Sequence, residues 1–336
     1  MSSKVLHIWG INTNNTGDHL LGPATRNWFE NNIYKTHFDC KSCRDNFDKQ
    51  TIDKINSEYD ALLIGGGGLI LPDTNPNKVS CWQWSITKEN IEKITIPIYV
   101  VSLGYNLFYN QNICMPNRDS NYEDKSRLKI FNENISCLID KSEYFSVRHN
   151  GDIDLLKRHV PKLLHDKIKF QFCPTIEYAK SLSSEIKPSN VVAFEIKEDR
   201  TWRRYYNTNK EKVFNNIAKF CKEIKDKKEI AVLLHEPHNN KIVQYLNNNG
   251  IKPRVIQNFN VPVQKIIENF QSIDTLYCMA GHSQMISMAL GCNTKSIITH
   301  NKLKFFLEDI NKYKYENYID PNAEDVYEKL METHYG

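Results

Sequence analysis

Thr275-Leu-Tyr-Cys-Met279-Ala-Gly-His282-Ser283-Gln-Met-Ile-Ser-Met-Ala-Leu-Gly291-Cys-Asn-Thr-Lys-Ser296-Ile-Ile-Thr299-His-Asn-Lys302 is the stretch on which the fold turns. The apolar run Thr275–Met279 reads as a short buried strand, an apolar helix opens at His282 and closes at Gly291, and Ser296–Thr299 reads as a second strand. The chain then reaches a second cation, Lys302. An ionisable His at a helix start, followed by a Lys beyond the next strand, is a set of contacts suited to an anionic substrate.

The same alternation runs outward in both directions, and alternating strands and helices mean parallel strands joined by crossover helices. Lys4–Ile11 reads as a strand and Asp18–Asn31 as a helix. Tyr59–Ile64 and Ile96–Leu103 read as buried strands that end in glycine, and Tyr144–Val147 as another. A second series follows: Asn190–Ile196, a helix over Lys210–Lys225, Glu229–Leu234, a helix over Lys241–Asn248, and the segments Lys252–Ile256, Val263–Phe270 and Thr275–Met279. Between the two series, Ser181-Leu-Ser-Ser-Glu-Ile-Lys-Pro-Ser189 is polar and contains proline, as a linker would. The expectation is an α/β protein of two doubly wound, Rossmann-like domains facing a cleft, over 1–182 and 188–319. An amphipathic helix within 320–336 would return to pack on the first domain.

The outer bounds agree. A chain of 336 residues exceeds what one hydrophobic core usually serves. Its 40% hydrophobic and 25% charged residues are those of a globular protein, and no apolar run approaches the roughly 18 residues of a membrane span. The formal charge of +4, from 44 basic and 40 acidic side chains, is too evenly mixed for a nucleic-acid surface. Nine cysteines, an odd number, suit a reducing compartment. The start Met-Ser-Ser-Lys-Val-Leu-His-Ile-Trp reads as a strand and not as a secretory signal, so the expected location is the cytoplasm. Cys40 and Cys43 have metal spacing but lack a second pair, and no metal site is expected. Asn14-Asn15-Thr16 and Asn134-Ile-Ser136 match a glycosylation pattern that would matter only in a secreted chain.

In doubly wound sheets, ligands bind beyond the carboxyl ends of the strands, so residues just after each strand are the candidates. After the first strand, Asn12-Thr-Asn-Asn-Thr-Gly17-Asp18 is a polar turn whose amides could meet a ligand, and Asp18 could cap the helix or act on substrate. After Tyr59–Ile64 comes Gly65-Gly66-Gly67-Gly68, read as a loop that lets a backbone approach a ligand. Gly104 follows Ile96–Leu103 with Tyr105 and Asn106, and Tyr144–Val147 delivers Ser146-Val-Arg148-His149. An Arg there suits a carboxylate or phosphate because its planar fork donates two parallel bonds. In the second series, Asp199-Arg200-Thr-Trp-Arg203-Arg204 and His235-Glu-Pro-His238 both follow strands and suggest a charged site. Trp82, Trp84, Tyr105 and Tyr109 are candidates for stacking on sugar rings.

This ordered set resembles the polysaccharide pyruvyl transferase family: an Asn/Gly-Asp turn, a glycine run, Ser-x-Arg, then His282, Gly291, Lys302 and Phe306-Leu307. The resemblance covers most of the chain. It implies a fold similar to GT-B glycosyltransferases, with the acceptor on 1–182 and the donor on 188–319. It also implies transfer of a pyruvyl group from phosphoenolpyruvate to two hydroxyls of a glycan hexose, giving a cyclic ketal. Phosphoenolpyruvate would be a co-substrate, with no cofactor. The acceptor would be a glycan or a lipid-linked sugar, which could bring the protein to a membrane surface. By resemblance His282 is the general acid/base, Asp18 orients or deprotonates an acceptor hydroxyl, Arg148 holds the donor's anionic groups and Lys302 stabilises phosphate. Gly17, Gly66, Gly67, Asn106, His149, Arg200, Arg203, His235 and Ser283 complete the expected substrate contacts.

Two positions depart from the family pattern. The arginine two residues before the histidine is Ala280, and the Asp usual after Ser-x-Arg is His149. Arg200, Arg203 or His149 would have to supply the missing cation, or the donor differs. The alternatives are a GT-B-type glycosyltransferase using a nucleotide sugar, for which Glu308 and Asp309 are loosely placed, and a glycan-binding relative without catalysis.

Overall fold

The computed structural model describes residues 3–12, 14–71, 77–109, 125–184 and 189–335. Thr13 of the polar turn and residues 185–188 of the expected linker lie outside the described residues. Contacts divide the chain into two units: residues 1–11 with 21–174, and residues 12–20 with 175–336.

The first unit is a parallel sheet in the order β2-β1-β3-β4-β5-β6. In chain order its elements are β1 (Lys4–Trp9), α1 (Thr16–Asn32), β2 (His37–Ser42), α2 (Lys49–Glu58), β3 (Ala61–Ile70) and α3 (Lys88–Glu92). They continue with β4 (Ile98–Tyr105), α4 (Lys125–Lys141), β5 (Tyr144–Val147), α5 (Asn150–Leu156) and β6 (Ile168–Phe170). The contact pattern divides α1, whose first turn groups with the second unit and whose remainder groups with the first.

The glycine run is not a loop. Gly65–Gly68 lies inside β3, with Gly65 opposite Val101 and Gly67 opposite Leu103 of β4. Side chains are excluded there because Leu21 of α1 packs over Gly66 and Gly67 while Asn106 covers Gly68. Gly65 and Gly67, at φ +112° and +92°, also need the backbone freedom of glycine. The stacking candidates are corrected as well. Trp82, Trp84 and Tyr105 are core residues with 0% exposure, Trp82 and Trp84 meet edge to face, and Trp82 Nε1 donates to Asn134 at 2.7 Å. Tyr109 is half-buried.

The second unit contains α6 (Thr175–Leu182), β7 (Val191–Glu195), α7 (Thr201–Arg204), α8 (Lys210–Ile224), β8 (Glu229–Leu234) and α9 (Lys241–Asn248). It continues through β9 (Arg254–Gln257), α10 (Val263–Gln271), β10 (Thr275–Cys278), α11 (Gly281–Ala289), β11 (Asn293–Ile297), α12 (Asn301–Asp309), β12 (Tyr318–Ile319) and α13 (Val326–Tyr335). Its parallel sheet runs β12-β11-β10-β7-β8-β9. From β7 the chain winds outward through β8 and β9, then restarts on the other side at β10. The switch point therefore lies between β7 and β10, where such folds open a crevice.

Sequence patterning explains these elements. In α8 the side chain of Asn209 accepts the Lys212 N–H, an N-cap bond. Val213, Phe214, Ile217, Ala218, Phe220, Cys221 and Ile224 then form one buried stripe, as helical spacing requires. Packing places two helices. Helix α6 belongs to the second unit, because Ala179 is buried in the same core as Ile286 of α11. Helix α13 packs on α8, with Val326 and Leu330 inside the second unit's core.

Candidate functional site

At the carboxyl edge of the second sheet, β10 ends and α11 begins, with Ala280 as N-cap residue. The backbone N–H groups of Met279 and Ala280 donate to Glu195 Oε2 at 3.0 and 2.7 Å, so the end of β7 holds the start of α11 across the switch point. Gly281 makes room for Lys302, whose Cδ and Cε would lie 3.3 and 3.4 Å from any Cβ built there. His282 follows, half-buried. A Cβ built on Gly17 would lie 2.8 Å from the Cβ of His282 and closer still to its ring. The bare first turn of α1 is thus what lets His282 occupy its position.

That first turn is capped by Asn15 and not by Asp18. Asn15 Oδ1 accepts the Asp18 N–H at 3.0 Å, while half-buried Asp18 stands three residues in, where an acid suits the helix dipole. Thr16 donates its N–H to the His235 carbonyl at 3.2 Å, and its hydroxyl lies 2.8 Å from the Asn258 carbonyl. His235 is buried, with Nε2 facing Asn15 Oδ1 at 3.2 Å and Nδ1 facing Ser283 Oγ at 3.1 Å. Glu236 receives Asn15 Nδ2 and pairs with Lys197 and with His238. Burial, reinforced by Lys197 and Lys302, pushes the His235 imidazole well below the ordinary histidine range. His235 is therefore neutral.

Around this centre lies a cationic group. Arg204 is buried and donates to both Asp199 and Thr299, through Nη2 to Asp199 Oδ1 at 2.7 Å and Nη1 to Thr299 Oγ1 at 3.0 Å. Burial works against the Asp199 carboxylate, but Arg204, Lys197 and Arg200 outweigh it and hold the carboxyl well below its usual range. His300 precedes α12, and burial with Lys302 and Arg204 keeps it well below the usual histidine range. Arg200 pairs with Asp199 at 2.8 Å. Arg203 is buried and lies over the ring of Trp202, 4.9 Å from its centroid. Glu195 is fully buried and its carboxyl is raised, first by desolvation, an effect partly offset by Lys197 and the two backbone N–H groups.

The first unit carries its own group. Arg148 and Asp152 are both buried, with Nε 4.0 Å from Oδ2, and Arg148 Nη2 donates to Asn106 Oδ1 at 2.9 Å. Asn106 in turn donates to the Gly68 carbonyl at 3.0 Å. Gly104 is needed because the guanidinium lies against it. His149, also buried, is the N-cap residue of α5. Gly66 and Gly67 are packed beneath Leu21 and not presented as a loop.

The family model for polysaccharide pyruvyl transferase matches residues 15–300. The chain belongs to this family. Membership makes it a transferase and supports polysaccharide pyruvylation in general. No curated protein matches the chain. Among solved structures it is similar to the S. aureus MnaA-UDP complex, with a TM-score of 0.55 at 11% identity, over 100% of this chain and 89% of that one. It is also similar to the UDP-GlcNAc 2-epimerase of Methanocaldococcus jannaschii bound to UDP-GlcNAc and UDP, with a TM-score of 0.55 at 12% identity, over 99% and 93% of the two chains. At such identities the likeness shows the fold alone, and that fold is GT-B-like.

In this chain the expected residues His282, Gly17, His235, Ser283 and Lys302 come together in the second unit, with Asp18 in the adjoining turn. Arg148, Asn106 and His149 gather in the first unit. Sequence reasoning did not single out Asn15, Glu195, Lys197 or Asp152 and chose Arg200 and Arg203 over Arg204. A signal existed for Asp152, which stands one helical turn after Arg148, a spacing at which ion pairs form. Nothing local marks Glu195 or Asn15, whose partners are Ala280 and Glu236. Cys40 Sγ accepts from Arg26 at 3.4 Å, and Cys43 is buried.

Proposed function

We propose that the chain transfers the pyruvyl group of phosphoenolpyruvate to two hydroxyls of a glycan hexose, building a cyclic ketal into a surface polysaccharide or glycoconjugate. The observation that carries this reading is the packing of Lys302 against Gly281, the residue before His282, at the start of α11 and beside the sheet's switch point. An acid next to a fixed cation is what an enol phosphate donor requires.

In this reading His282 protonates the methylene carbon of the donor while an acceptor hydroxyl, oriented by Asp18, attacks C2. The C2–O bond to phosphate breaks with its electron pair on phosphate, and a second hydroxyl of the same sugar closes the ketal on C2. One hydroxyl proton ends on the new methyl group and the other leaves with phosphate. Lys302 stabilises the departing phosphate, Arg148 is assigned the donor's anionic groups, and no cofactor enters the balance. Among the described residues no helix is long and apolar enough to cross a membrane. We place the reaction in the cytoplasm, where the donor is made, with a lipid-linked acceptor able to draw the enzyme to a membrane surface.

The test is incubation with phosphoenolpyruvate and simple hexosides, read by mass spectrometry and phosphate release. The expected product gains the mass of pyruvic acid less one water, with one phosphate per ketal. Thermal stabilisation by phosphoenolpyruvate should accompany it, since a ligand that binds only the folded state raises apparent stability. Stabilisation by UDP-sugars alone, without ketal formation, would overturn the proposal.

A further inference from the structure

We propose that Asn15 and His235 are positioning residues for His282, acting through Ser283 as a tautomer lock on the first turn of α11. The orientation of the Asn15 amide is determined twice. Its Oδ1 must be the atom that accepts the Asp18 N–H at 3.0 Å, and its Nδ2 must be the group that meets the Glu236 carboxylate, because a carboxylate only accepts. Glu236 is held in turn by Lys197 and His238.

The oxygen of Asn15 therefore faces His235 Nε2 at 3.2 Å, and that nitrogen carries the ring proton. The groups around the ring are Lys197 and Asp199 after β7, Arg204 on α7, Lys302 on α12, and neighbouring Glu236. Burial and the cations keep the imidazole neutral, so Nδ1 has no proton and accepts the Ser283 hydroxyl at 3.1 Å. A neutral imidazole whose second nitrogen is oriented by another group is a device that sets direction and tautomer together. Ser283 adjoins His282 in sequence and is fully buried, so the bond restrains the backbone that carries the acid. The same turn of α1 supplies Gly17 against His282 and Asn15 against His235.

The activity arm of the test rests on the proposed pyruvyl transfer, and the spectroscopic arm does not. Ring nitrogen-15 NMR should show His235 protonated on Nε2 and bare on Nδ1 through the neutral range, with Asn15→Leu releasing both tautomers. A protonated Nδ1 in the wild-type protein would overturn the lock. Kinetically, His235→Gln loses the Nδ1 acceptor and should lower kcat by about 10²-fold, the scale of a misplacement of about 1 Å, with KM for phosphoenolpyruvate almost unchanged. His235→Asn keeps an acceptor near Nδ1 and should recover most of that loss. Equal losses in both variants, or a raised KM with kcat kept, would refute positioning and point to direct substrate contact. Should His235→Gln fail to fold, Ser283→Ala breaks the same bond from its other end and should give the same kcat loss. A wild-type enzyme without pyruvyl transfer defeats the proposed function while NMR still decides the lock.

Discussion

Gly17→Ala sets two effects of opposite sign against each other. At an ordinary helical position, replacing Gly by Ala gains roughly 0.5–1 kcal/mol of helix stability. Here the new methyl would lie 2.8 Å from His282 Cβ and nearer still to the ring. The contacted atoms are the root and ring of a side chain, not the tip of a flexible one, so they cannot swing aside cheaply. Overpacking of this kind costs about 1–3 kcal/mol, which cancels or exceeds the helical gain. The expected net loss of stability is therefore small, about 0–2.5 kcal/mol. The relief requires His282 to move by an appreciable fraction of 1 Å or more, and displacement on that scale costs about 10²-fold in rate. The assay pairs urea denaturation with initial rates of phosphate release. The expected signature is a large fall in kcat with a nearly native denaturation midpoint. A Gly17→Ala enzyme with full activity would refute both the placement of His282 and its assigned role.

Three further outcomes follow from the buried ionisable groups. Arg148→Ala removes one side of a buried ion pair with Asp152 and should cost about 3–5 kcal/mol; Arg148→Met with Asp152→Leu should restore most of that stability in denaturant titrations without restoring donor binding. Glu195 has a raised carboxyl, so its contribution is present below the ordinary glutamate range and lost as pH climbs through the raised value. Glu195→Gln should flatten that decline with rising pH, and an unchanged slope would count against the buried placement. The His7 imidazole, buried and pushed down to about 3, contributes stability present above the ordinary histidine range and lost as pH falls toward that value. Replacement by Gln should lessen acid lability, measured as denaturation midpoint against pH.

Much of the fold is legible along the chain. Tyr144–Val147, Glu229–Leu234 and Lys241–Asn248 form elements over the ranges that periodicity indicates, because local spacing decides which face a residue presents. The strand in the opening stretch shifts, running Asn293–Ile297 instead of Ser296–Thr299, since pairing with β10 sets its register. The glycine run misleads for a physical reason: four residues without side chains give no strand signal. Only Leu21, Asn106 and the backbone of β4, packed over it, make those glycines part of a strand.

The site divides in the same way. His282 and Lys302 are marked by sequence, because a helix start after a buried strand is a local pattern. Which groups hold them is not local. Asn15 meets Glu236, 221 residues away in the chain, and Glu195 meets the amides of Met279 and Ala280. Arg204 rather than Arg200 or Arg203 bridges Asp199 and Thr299, a choice made by the turn of α7. By itself the sequence determined the alternation of strands and helices, the family and the residues at the helix start. Tertiary structure alone decided the cap of α1, the tautomer of His235 and the partners of the buried charges, because these depend on contacts between segments that have no pattern in common.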